Sequence, residues 1–113
     1  MTIECIFCKI IDREIPSDLI FKDENVIAFK DLNPQAPTHL LFVPTIHVEN
    51  AAELAKISPV LLGALFNAVG KVTHELAITD YRTVFNTGAG AGQSVFHAHL
   101  HLLSGREFGW PPG

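Results

Sequence analysis

At 113 residues and 12.4 kDa the chain is sized for one domain, since a compact domain needs roughly 100–150 residues for a single core. Its 48% hydrophobic and 18% charged residues exclude a disordered polypeptide. Eight Lys and Arg against twelve Asp and Glu leave a net charge of −4, which excludes a broad basic surface for tracking nucleic acid.

The first feature in chain order is Cys5-x-x-Cys8, on a short N-terminal helix. A disulfide there would close too small a loop to restrain the unfolded chain much. With two histidines from elsewhere, the pair has the ligand types and first spacing of a structural zinc site. Residues 19–22 and 26–30 are short β-leaning runs joined by Asp23-Glu24-Asn25, which predicts an antiparallel hairpin. His39-Leu40-Leu41-Phe42-Val43, bounded by Pro37 and Pro44, is unbroken enough to be a central strand covered on both faces. After Ser58-Pro59, a cap followed by the proline that a first turn tolerates, apolar residues recur at helical spacing from Leu61 to Leu76. Gly63 and Gly70 each cost that helix ~1 kcal/mol against Ala, so close packing on the sheet is expected to reward them. His74 near its end is a solvated residue complementing the helix dipole. Strands at 82–86 and 95–103 complete an α+β domain, residues 1–113, with a five-stranded antiparallel sheet, one long helix and a short N-terminal helix. No apolar run reaches the ~20 residues of a membrane span, and no signal-peptide layout is present, so a cytoplasmic protein without membrane contact is expected.

The chemistry concentrates at Val95-Phe96-His97-Ala98-His99-Leu100-His101. In an extended strand the three imidazoles share one face, and His97 and His101 stand ~13 Å apart, too far for one metal ion to bind all three. Such a row suits an extended anionic ligand, because imidazole supplies a neutral nitrogen nucleophile or a donor proton near neutral pH. The middle residue, His99, can be oriented through its second nitrogen and is the expected nucleophile. Upstream, the Gly-rich stretch 87–94 offers backbone N–H donors, with the Asn86 amide and the Ser94 hydroxyl beside them, for phosphate oxygens. It lacks the Gly-Lys-Ser/Thr ending of a P-loop and runs into a strand, which removes the dinucleotide-fold reading.

These residues resemble the histidine triad signature, His-apolar-His-apolar-His-apolar-apolar. Ile6-Phe7-Cys8-Lys9-Ile10-Ile11, Glu14-Ile15-Pro16, the run from Asp31 to His39 and the ending Trp110-Pro111-Pro112-Gly113 extend the likeness to the histidine triad nucleotide-binding branch. The resemblance implies a homodimer with its two sheets joined, acting as a purine nucleoside phosphoramidase on AMP– or GMP–amine conjugates. His99 would attack the α-phosphorus, His97 and His101 would polarise phosphate oxygens, His39 would orient His99, and Ser94 would hold the departing amine. Asn86, Gly92 and Gln93 match phosphate-side positions, whereas Ile6, Phe7, Ile10, Phe29, Asp31 and Leu32 match a nucleoside pocket. Trp110 would reach toward the partner subunit's site. By the same resemblance His47 and His97 would join Cys5 and Cys8 on a structural zinc ion, while the chemistry itself requires no cofactor. Two alternatives stay open: a dinucleoside polyphosphate hydrolase or transferase of the same superfamily, and a non-catalytic nucleotide-binding scaffold.

Overall fold

The computed structural model describes residues 5–113. Strands β1 (Leu19–Lys22), β2 (Val26–Lys30), β3 (Thr38–Pro44), β4 (Tyr81–Val84) and β5 (Leu100–Ser104) form one sheet in the order β1-β2-β3-β5-β4. Every neighbouring pair is antiparallel. Helix α1 (Ile6–Ile11) lies on one face, and α2 (Ala51–Ile57) and α3 (Pro59–Glu75) cover the other.

The alternation of strand side chains explains why both faces are covered. From β2 and β3, Val26, Ala28, Leu40 and Phe42 meet Leu65, Ala68, Val69 and Val72 of α3 and Leu54 of α2. The intervening Ile27, Phe29, Leu41 and Val43 meet Phe7 and Ile10 of α1. β3 is therefore central and two-sided, as its unbroken apolar run predicts. The β1–β2 turn is closed by Asp23, whose Oδ1 accepts from the N–H groups of Asn25 and Val26, both at 2.8 Å.

α3 starts where Ser58-Pro59 predicts, with the Ser58 hydroxyl accepting the Leu61 N–H at 3.2 Å. It ends in a Schellman pair, Ala77 N–H to the His74 carbonyl and Ile78 N–H to the Thr73 carbonyl, and Ala77 takes the left-handed conformation (φ 55°) that glycine usually fills. α2 is an addition to the expected elements. Asn50 caps it by accepting the Glu53 N–H at 2.9 Å, and the Asn50-x-x-Glu53 spacing is a helix-start signal.

Two expectations are corrected. Gly63 and Gly70 are exposed, and a Cβ at either would meet nothing within 4 Å, so no packing among the described residues offsets their helix cost. The last strand begins at Leu100 and not at Val95. Before it, Ala98 N–H bonds the Val48 carbonyl, the Gln93 amide holds the Val95 carbonyl, and the His97 ring bonds the Pro44 carbonyl. These bonds, to the end of β3 and the loop after it, hold residues 95–99 outside the sheet, so the histidines do not form a straight row.

Candidate active site and metal centre

On the α1 face, a cavity of about 220 Å³ is lined by Ile6, Phe7, Ile10, Phe29, Asp31, Leu32, Ser94, His99 and His101, all anticipated for binding or chemistry. Ile15, Pro16, Ser17, Lys30, Leu41 and Val95 complete its lining and were not anticipated. Its walls are mostly aliphatic and aromatic, and the polar groups converge at one end, the usual layout of a small-molecule site. A larger cavity, about 500 Å³, opens between residues 30–40 and the end of α3; it shares Lys30 and Asp31 with the smaller one, but His99, His101 and Ser94 do not line it.

Hydrogen-bond partners fix the tautomers, because a carbonyl can only accept and a backbone N–H can only donate. His99 Nδ1 lies 2.7 Å from the His97 carbonyl oxygen and so carries the proton. Its Nε2 keeps the lone pair on a ring that borders the cavity. The Gln35 N–H donates to His39 Nδ1 at 3.0 Å, which places the His39 proton on Nε2. That proton is given to His101 Nδ1 at 2.9 Å, so His101 presents Nε2–H. The rings of His99 and His101 are 4.9 Å apart between centroids, which sets an unprotonated nitrogen beside an N–H donor. Asp31 Oδ2 sits 3.3 Å from His39 Nε2, and its Oδ1 accepts the Asn33 N–H at 2.8 Å.

Burial keeps this cluster neutral. It pushes His99 below the ordinary imidazole range, partly offset by the His97 carbonyl and Asp31. It pushes His101 to about 4, with the neighbouring His99 and His39 adding to the shift. His39 is lowered by burial against the pull of Asp31. An uncharged His99 is the form a nucleophile needs.

Several anticipated roles are corrected by position. His39 bonds His101 and not His99; the group that orients His99 is the main chain of His97. The His97 ring, fully buried, lies outside the cavity lining, with Nε2 2.9 Å from the Pro44 carbonyl. Its side chain is therefore not part of the cavity wall. Gln93 is buried and spends its side chain on the loop, accepting from Gly88 N–H at 2.8 Å and donating to the Glu49 and Val95 carbonyls at 2.7 and 3.1 Å. The N–H groups of Ala91, Gly92 and Gln93 are likewise bonded inside the loop. The stretch thus brings the Ser94 hydroxyl to the cavity, and Asn86, Gly92, Gln93 and Trp110 do not line it. Trp110 stands 85% exposed. Sequence patterns carry no signal for the main-chain groups of Gln35 and His97 that set the tautomers.

The second cluster joins Cys5, Cys8, His47 and His97, whose donor atoms all lie within 4.8 Å of one another. Cys8 Sγ is 3.3 Å from His47 Nδ1 and 3.6 Å from His97 Nδ1, and Cys5 Sγ is 3.5 Å from His97 Nδ1. Zinc bonds of ~2.0 Å to nitrogen and ~2.3 Å to sulfur place neighbouring tetrahedral donors roughly 3.3–3.8 Å apart, so the residues fit the ion. The Pro44 carbonyl holds the proton of His97 on Nε2 and leaves the Nδ1 lone pair facing the sulfurs, the outer support a metal-binding imidazole needs. Burial, with the adjacent Cys5, pushes the Cys8 thiol up to about 11, so a bound cation must displace its proton. A third grouping, Asp31, His39 and His101, spends the single Nε2 proton of His39 on His101, with the Asp31 carboxylate 3.3 Å from the same nitrogen.

Residues 4–108 match the family model described as the scavenger mRNA decapping enzyme C-terminal binding domain. The chain is 41% identical over 111 residues to a purine nucleoside phosphoramidase of Escherichia coli, covering 96% of this chain and 93% of that one. A 14 kDa zinc-binding protein of Zea mays is 46% identical over 112 residues, covering 96% and 87%. Among solved structures, a HIT family hydrolase from Clostridium thermocellum superposes with a TM-score of 0.90 at 44% identity, covering 96% of each chain.

Proposed function

Because the chain belongs to the histidine triad (HIT) family, we propose that it is a hydrolase that cleaves the P–N bond of purine nucleoside phosphoramidates, AMP– or GMP–amine conjugates, through a nucleotidylated His99. The observation that carries the reading is the 2.7 Å bond from His99 Nδ1 to the His97 carbonyl, which leaves Nε2 unprotonated at the cavity. The full-length likeness to a phosphoramidase supports the leaving group.

The base lies between Ile6, Phe7, Ile10 and Phe29, with Leu32 at the mouth and Asp31 accepting from the sugar hydroxyls. At about 220 Å³ the cavity falls below the ~300–1,000 Å³ of sites that enclose drug-sized ligands, so it takes a nucleoside and leaves the phosphate at the histidines. His99 Nε2 attacks the α-phosphorus. The P–N bond breaks, its electron pair leaves on the amine nitrogen, and the Ser94 hydroxyl supplies the proton. His101 Nε2–H donates to a non-bridging oxygen as charge gathers there. Water then attacks phosphorus, returns a proton to Ser94, and the bond to His99 breaks to release the nucleotide.

The Cys5, Cys8, His47, His97 cluster holds zinc in a structural role in this reading. The protein works as a homodimer with sheets joined at the outer edge of β4, where Tyr81 stands 42% exposed.

His99→Ala tests the function. Hydrolysis of an AMP–lysine conjugate should fall more than ~10³-fold while AMP affinity stays within roughly tenfold. Undiminished turnover would refute it. Faster cleavage of a dinucleoside polyphosphate than of the phosphoramidate at equal concentration would favour the alternative leaving group.

A further inference from the structure

We infer that Cys5 and Cys8 are positioning residues for nucleotide binding: the cation they share with His47 and His97 fixes α1 against the sheet, and with it the wall that receives the base. The inference rests on the nucleotide reading of the cavity.

α1 has six residues, well short of the ~12–15 at which an isolated helix becomes even marginal in water. Its place therefore depends on tertiary ties. Phe7 and Ile10 supply two apolar ones, and its N-cap is Cys5, whose sulfur accepts the Cys8 N–H at 3.4 Å. The same helix contributes Ile6, Phe7 and Ile10 to the cavity. The ring of Phe7 stands edge-on to Phe29 at 5.6 Å, to His97 at 6.0 Å and to His99 at 4.9 Å, so a shift of α1 moves the pocket wall and the neighbour of the nucleophile together.

The four ligands come from three separate segments: the start of α1, the loop after β3 and the irregular stretch before β5. A cation that joins them ties α1 to the stretch whose His97 carbonyl orients His99. Without it, the links at 3.3–3.6 Å are thiol–imidazole contacts, in which sulfur is a weak hydrogen-bonding partner. A short helix so held opens locally, and nucleotide binding must first restore it, which lowers apparent affinity by the fraction of closed helix.

The test compares protein loaded with zinc, stripped by chelation and reloaded, using AMP titration and amide hydrogen exchange. The stripped form should bind AMP about tenfold more weakly and exchange the amides of residues 9–12 at least ~10-fold faster, with α3 amides unchanged. His47→Ala keeps every α1 side chain, since His47 reaches α1 through the Cys8 sulfur. It should behave like the stripped form at low zinc and recover with excess zinc. Equal AMP affinity and equal exchange with and without zinc would overturn the inference alone. A loaded protein that does not bind AMP would overturn the nucleotide reading and the inference with it.

Discussion

Acid should destabilise this protein through histidines that the fold keeps neutral. Burial, together with His99 and His39, pushes His101 down to about 4; in the unfolded chain it returns to about 6.5. Above that value both states are neutral and full stability is present. Below it the unfolded chain takes up a proton that the native state refuses, so stability falls until the pH passes through about 4. At about pH 5.5, roughly one unit below the unfolded value, the loss for His101 is ~1.4 kcal/mol, nearer ~1 because the ring is partly open to the cavity. His39, His97 and His99 are lowered by burial and add in the same direction. Urea midpoints at about pH 7.5, 6.5 and 5.5 measure the slope, and His101→Asn should make it shallower by up to ~1.4 kcal/mol per pH unit. Equal slopes for the two proteins would refute the assignment of a neutral, buried His101.

Three further outcomes follow from particular contacts. Phosphoramidase kcat/KM should fall in acid with a midpoint below 6.5, since burial lowers His99 and attack needs its neutral form; a midpoint at or above 6.5 would contradict this. Ala77→Gly should raise unfolding free energy by ~1 kcal/mol in urea melts, because it relieves φ 55° at the end of α3; no gain would show that the Schellman turn carries no strain. Gly105→Ala should cost ~2 kcal/mol or more and lower activity, because its φ is 98° and the new Cβ would lie 2.8 Å from Pro37 Cβ, in the loop whose Gln35 N–H sets His39. A Tm unchanged from the parent protein would disprove that clamp.

Much of this arrangement is legible in the residues. Prolines on both sides of an unbroken apolar run mark β3, Ser58-Pro59 marks the start of α3, and the spacing of Cys5 and Cys8 marks a pair of sulfurs that the fold brings to His47 and His97. The α2 start was written in Asn50-x-x-Glu53 but carries only one buried residue, Leu54, so its periodicity is weak. The strict alternation of His97, His99 and His101 suggests one strand face, yet long-range bonds to Val48 and Pro44 hold the first two outside the sheet. Local pattern cannot register such bonds, since the partners lie about fifty residues away in sequence. The same limit hides Gln35 and the His97 carbonyl, which act through main-chain atoms common to every residue type.

The central claim is that His99 becomes covalently nucleotidylated at a nitrogen kept free by the His97 carbonyl. Intact-mass and fragment analysis of protein quenched during turnover of an AMP–amine conjugate tests it most directly. One AMP residue on His99, absent from His99→Ala, is the predicted result; an adduct on another side chain, or turnover with no adduct at any quench time, would contradict it.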